Sequence, residues 1–387
     1  MKSTLALLGL GCAAVAIGPD ARPRSFVPTS ASPRVAILAT PDGGIQPQAS
    51  IAPDGTLHLV YFNGDPAHGD LFYTKRGPHD ADFLPGIRVN SVPGSAIATG
   101  SVRGGQIAIG RNGRIHVAWN ASQPIERDGA KVTPMWYARL LDGASSFEPQ
   151  QAIGSHTKYL DGGGSVAADP SGRVFVVWHA AGIEDGEPHR RLYVAMSQND
   201  GRTFGPDEAY GVEGGACGCC GIESLVDTHG RLQLLYRAAG ANVQRDAMWL
   251  TVGDNAEPVR LQAWQLPACP MTTFAMGSRG NALVAAWETK QQIYSAILTP
   301  EGRHVSPLRP MSGTGSRKHP SVAVNAAGET LYAWTEGTAW ARGGTLAWEL
   351  RDRADSQLAS QSGAGAVPVW SLVAAVARPD GSFAIIH

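Results

Sequence analysis

Residues 165–178 read Ser165-Val-Ala-Ala-Asp-Pro-Ser-Gly172-Arg-Val-Phe-Val-Val-Trp178. Two alternating runs rich in β-branched and aromatic side chains flank a Pro/Gly turn, the pattern of two antiparallel strands. The phrase returns seven times, with its glycine at Gly55, Gly113, Gly172, Gly230, Gly280, Gly328 and Gly381. Six residues later stands Tyr61, Trp119, Trp178, Tyr236, Trp334 or His387; the fifth copy carries Trp287 one place further on. Spacings of 48 to 59 residues between these glycines mark a radial all-β repeat, because a sandwich has no cause to keep such a period.

Third strands are expected at 70–76, 134–140, 191–197, 246–252, 292–298 and 346–352, with a weaker fourth strand after most of them. The last copy, 373–387, has only two strands. Residues 34–40 read as an orphan third strand that completes it. The expectation is an all-β propeller over 34–387 with seven blades, six as the alternative count. Its ring is closed by the N-terminal strand pairing with the C-terminal strands, which removes free sheet edges.

Met1-Lys2, the apolar stretch Thr4–Ala16 and Ala14-Val15-Ala16 read as a signal peptide over 1–16. The stretch is too short to span a bilayer, so the mature chain is expected to carry no transmembrane helix. Leu10-Gly11-Cys12 offers an alternative, a lipoprotein anchored through Cys12. Residues 17–33 read as a disordered tether. The expected location is periplasmic or secreted. With 32 basic and 33 acidic side chains and a net charge of -1, no field is available to recruit nucleic acid or an anionic membrane.

Outside the cytoplasm four cysteines remain, Cys217, Cys219, Cys220 and Cys269. Both groups stand just before a first strand, in blades four and five, so their sulfurs are expected to converge on one mouth of the channel. Arg103, Asp161 and His319 hold equivalent places in blades two, three and six. Two disulfides, Cys217–Cys220 and Cys219–Cys269, are one reading. A Cu or Zn site made by three or four of these thiolates with His319 is the second, and redox-active thiols are the third. His58 and His116 recur with the repeat and read as core or interblade hydrogen-bonding residues.

Ser197-Gln-Asn199-Asp-Gly201-Arg-Thr203-Phe204 resembles the Asp-box (BNR repeat) of the sialidase superfamily, with Asn199 for the Asp and Phe204 for the Trp. In that family the motif is a structural turn between third and fourth strands, and its presence implies a sialidase-like propeller. The resemblance further implies an arginine that holds a carboxylate, matched by Gly230-Arg231…Tyr236-Arg237. The family's partner glutamate would fall at Gly221, with Glu223 two residues on. Cys217-Gly-Cys219-Cys220, Tyr236-Arg237, Arg245-Asp246 and Cys269-Pro270 resemble a bacterial sialidase-like subgroup.

Candidate catalytic residues are therefore Arg237, Glu223, Arg245 and Asp246. Candidate ligand-binding residues are Arg103, Asp161, Arg237, Arg245 and His319. The expected function is binding of an anionic small molecule or glycan on the Cys-rich face without sialidase turnover. The alternatives are an exo-acting glycoside hydrolase and a thiolate metal protein.

Overall fold

The computed structural model describes residues 34–387, apart from 142, 159, 212–213 and 254–256. The leader, the tether and Cys12 lie outside the described residues. Seven blade sheets follow one another along the chain, six of them wholly antiparallel, with a small hairpin inserted in blade two. Blade one is built from Ile45–Ile51, Leu57–Asn63, Asp70–Arg76 and Ile87–Arg88. Blades two to six repeat this order, starting at Gln106, Ser165, Glu223, Phe274 and Arg317; in blade five the fourth place is split between His304–Val305 and Arg309–Pro310. Blade seven is Ala374–Ala377 and Phe383–Ile386, completed by Val35–Leu38.

All seven repeat glycines have φ between 61° and 96°, a backbone region that costs other residues a Cβ clash. This explains why the glycine, and no other residue of the turn, recurs without exception. In blades three and four the turn is further held by a carboxylate. Asp169 Oδ1 accepts the Ser171 and Arg173 N–H groups, and Asp227 Oδ1 those of His229 and Arg231, the local bonding that suits Asp to turns.

The ring closes in register Val35↔Phe383 through Leu38↔Ile386. The pairing is parallel, where a third strand would be antiparallel. The segment must enter the first strand of blade one within a few residues, so it occupies the third place while running in the direction of a fourth strand. Thr40 locks the junction with N–H and Oγ1 donated to the His387 carbonyl, both at 2.8 Å.

Between blades pack the aromatic strand ends. Trp119, Trp178 and Trp287 are wholly buried, each contributing about 2–3 kcal/mol by apolar burial. His58 and His116 bond the hydroxyls of Tyr73 and Tyr137 through Nδ1, at 2.7 and 2.6 Å, the structural role read from their recurrence. The Ser197–Phe204 turn is self-bonded. Ser197 Oγ accepts the Gly201 N–H at 2.9 Å, Asn199 Oδ1 accepts the Thr203 N–H at 3.0 Å, and Phe204 meets Tyr137 of blade two edge-on at 4.8 Å.

Candidate functional site: the mouth of the channel

The segments entering the first strands are laced to one another around one end of the channel. Gln46 joins blades seven, one and two: its Nε2 donates to the carbonyls of Ala98 and Trp370, and its Oε1 accepts the Gly104 N–H. Arg103 donates Nε to the Asp161 carbonyl, and Asn120 donates to Gly162 at 2.7 Å. The Ile222 N–H donates to Gly163, that of Gly221 to Thr272, and Lys318 Nζ to Pro270 at 2.6 Å. Beneath this ring lies a polar cavity of about 140 Å³, lined by Gln48, Gln106, Glu223, Thr273 and Ser321 among others. Burial pushes the Glu223 carboxyl up to about 8.

The Cys217–Cys220 turn is the most constrained part of the ring. Cys217 N–H donates to the Arg237 carbonyl at 2.9 Å and Cys220 N–H back to Cys217. Glu187 Oε1 accepts the Gly218 N–H at 2.9 Å, while its Oε2 holds Arg245 Nη2 at 2.9 Å. A Cβ on Gly218 would sit 1.6 Å from Arg190 Nη1, so this position has room only for glycine. Arg190 in turn pairs with Asp161 at 2.7 Å.

The three sulfurs of this turn lie within 4.8 Å of one another. Cys217 Sγ is 3.4 Å from Cys219 Sγ and 3.2 Å from Cys220 Sγ. A disulfide needs about 2.05 Å, so these are free thiols, as is Cys269. The two expected disulfides are therefore not formed. Cys269 is exposed and stands outside the three-sulfur group, although its segment runs alongside through the Gly221–Thr272 bond. Burial opposes ionisation of Cys220. Hydrogen bonds from the Cys217 and Cys219 thiols, the Arg237 charge and the Thr272 backbone nonetheless hold its thiol well below the ordinary value. Hydrogen bonding within the cluster and burial push Cys219 up.

Arg237 does not face the mouth. It is 1 % exposed, its guanidinium donates to the backbone carbonyls of Arg245 and Glu288, and it lies over the rings of Trp264 and Phe274. The nearby acid, Glu288, is equally buried, and burial raises its carboxyl. Asp246 is taken up in accepting the Trp264 N–H at 2.8 Å. His319 is buried at φ 55° in a bulge of its strand, and burial lowers its imidazole to about 3. Sequence reasoning passed over Gln46, Glu187, Arg190 as a loop charge, and His179. The alignment of Gln46-Pro47 with His319-Pro320 in the repeat was the one usable signal among them.

The outer wall of the mouth is aromatic. Trp340 is 49 % exposed and meets Trp370 at 6.2 Å between centroids, with planes at 64°. Both line a shallow depression with Lys318, His319, Thr338 and Met271. A Cβ on Gly100 would lie 3.1 Å from the Trp340 ring, so the indole reaches from blade six to the loop leading into blade two.

No protein-family model matches the chain, and no curated relative matches it in sequence. Its fold has many counterparts. The BP39L lectin of Burkholderia pseudomallei superposes with TM-score 0.60 at 11% identity, over 88% of this chain and 95% of that one. The NanB sialidase of Streptococcus pneumoniae gives 0.53 at 8%, over 78% and 67%. The α-L-arabinofuranosidase Arb93A of Fusarium graminearum gives 0.53 at 10%, over 81% and 94%. Seven blades, the closed ring and these likenesses together make the chain a seven-bladed β-propeller similar in fold to sialidases, lectins and arabinofuranosidases.

Proposed function

We propose that the protein is an exported propeller that binds an anionic glycan at its Cys-rich mouth and does not hydrolyse it. The exposed Trp340, propped against Trp370 beside the Lys318 ammonium, carries this reading. An indole face stacks on the apolar side of a sugar ring, and a neighbouring cation favours a carboxylate or sulfate. Lectins and glycosidases among the fold's counterparts make a sugar the natural ligand class.

The placement of Arg237 and its neighbours supports binding without turnover. Retaining hydrolysis needs a nucleophile and a proton donor on either side of one glycosidic bond. Arg237 and Glu288 are both buried, and Gly221 stands where the family's glutamate is expected. Glu223 lines the channel beneath the laced ring, away from the Trp340 wall.

The test is a glycan array followed by calorimetry. Binding of an acidic oligosaccharide is expected, with about a tenfold or greater loss in Trp340→Ala and a weaker loss in Lys318→Ala. Release of fluorophore from sialosides or other glycosides would replace this reading with that of a hydrolase. An array with no hits, and no difference between wild type and Trp340→Ala, would end it.

A further inference from the structure

Three thiols crowded into one four-residue turn have no role in sugar stacking. Cys217 and Cys220 are buried and Cys219 is half-buried, so the cluster has a covered body and one accessible sulfur. Three thiolates in a plane around one ion at about 2.3 Å each stand about 4.0 Å apart. The three sulfurs already lie within 4.8 Å of one another, and the observed 3.2 and 3.4 Å would open by about 0.6–0.8 Å. The turn is held in place by partners from outside it: the carbonyl of Arg237 and the Glu187 carboxylate, with the carbonyls of Thr272 and Gly163 fixing the residues that follow. A donor set fixed by its supporting shell is what a metal site requires.

We propose that Cys217, Cys219 and Cys220 form a three-thiolate site for Cu(I). Thiolate donors select soft ions. Zn(II) takes four ligands in closed sites, whereas three sulfurs here form the group and Cys269 stands outside it. Three thiolates on Cu(I) carry a net charge of 2−, which must be paired when covered by protein. Arg103 acts on Cys219 and Arg237 on Cys220, and the Arg190 guanidinium packs under Gly218. Cations of this kind cannot ligate, but they offset the charge of the complex.

His179 decides between the two ions. It is 2 % exposed, its ring nitrogens make no well-formed hydrogen bond, and the Cys220 backbone lies against it. A Cβ on Gly162 would lie 2.2 Å from His179 Nε2 and 2.5 Å from the Gly218 carbonyl, so the ring abuts the turn from behind. Recruiting it would make a four-coordinate site; leaving it out keeps the three-sulfur site proposed here. Copper loading is independent of sugar binding, and each can fail without the other.

The experiment titrates reduced, full-length protein with Cu(I) under argon against bicinchoninate, and reads sulfur coordination by X-ray absorption. One Cu(I) per chain with three sulfurs is expected. Cys217→Ser, Cys219→Ser and Cys220→Ser should each weaken binding by about a hundredfold or more, while Cys269→Ser and His179→Ala leave it unchanged. The proposal is overturned by no uptake in the reduced wild type, or by a two-sulfur site. It is equally overturned by preferential loading with Zn(II) on a sulfur–nitrogen set that His179→Ala abolishes.

Discussion

The guanidinium carbon of Arg237 lies 5.0 Å from the ring centroid of Trp264 and 5.2 Å from that of Phe274. An arginine sandwiched between aromatics, with its donors on two backbone carbonyls, is a structural tie between blades four and five. Arg237→Ala should therefore act on stability. A loss of about 3 kcal/mol is expected, because lost stacking is combined with carbonyls left unpaired. Urea unfolding of wild type and variant measures it. A variant of unchanged midpoint that had lost ligand affinity would return Arg237 to the binding site.

The period of the turn glycines made the blade count legible, since each of those positions needs a positive φ that only glycine adopts freely. Convergence of the first-strand entries was legible too, because equivalent places in a radial repeat share one rim: Arg103, Asp161, Cys219 and His319 all came to the same mouth. Direction and depth were not. Val35–Leu38 pairs parallel because of where the chain must go next, which no residue in the strand announces. Arg237 reads as a strand-end cation, and only the three-dimensional neighbours Trp264, Phe274 and Glu288, 27 to 51 residues on, show that it is enclosed. Glu187 was invisible because its partners, Gly218 and Arg245, belong to another blade.

Glu187 bridges that pair. Glu187→Ala frees the Gly218 N–H and removes the carboxylate that holds Arg245 Nη2. A destabilisation of about 1–3 kcal/mol is expected. The three thiols should also react faster with a thiol reagent, as the turn is less constrained. Unchanged thiol kinetics would show that the carboxylate does not hold the turn.

Gly201 has φ 76°, and a Cβ there would fall 1.8 Å from the Tyr137 hydroxyl oxygen. Gly201→Ala must displace the ring that bonds His116 and packs on Phe204, at a cost of about 2 kcal/mol or more. Thermal unfolding reads this as a lower Tm. An unaltered Tm would mean that the contact between blades two and three yields without strain.

Deleting residues 34–38 removes the strand that pairs with Phe383–Ile386. Those four residues are wholly buried, and their exposed edge would invite pairing with other chains. The truncated protein should elute as aggregates in size-exclusion chromatography. A monomer of near-native Tm would show that the ring does not depend on this closure.

Stability should pass through a maximum near pH 6–7. Burial lowers His58, His116 and His179 to about 4 and His319 to about 3, against 6.5 in the unfolded chain. Below pH 6.5 the unfolded state binds protons that the folded state refuses, so stability falls as pH drops towards 4, by up to about 1.4 kcal/mol per pH unit per histidine. Glu223 has the opposite sign. Its carboxyl is raised to about 8, so between pH 4.5 and 8 the folded state holds a proton that the unfolded state has lost, and stability falls as pH rises. Four histidines outweigh one glutamate below pH 6.5, and the glutamate acts alone above it. Urea midpoints from pH 4.5 to 8.5 should trace this dome, and Glu223→Gln should flatten its alkaline limb while leaving the acid limb in place. A limb that persisted in that variant would show that another group, Glu288 being the nearest raised acid, carries the alkaline loss.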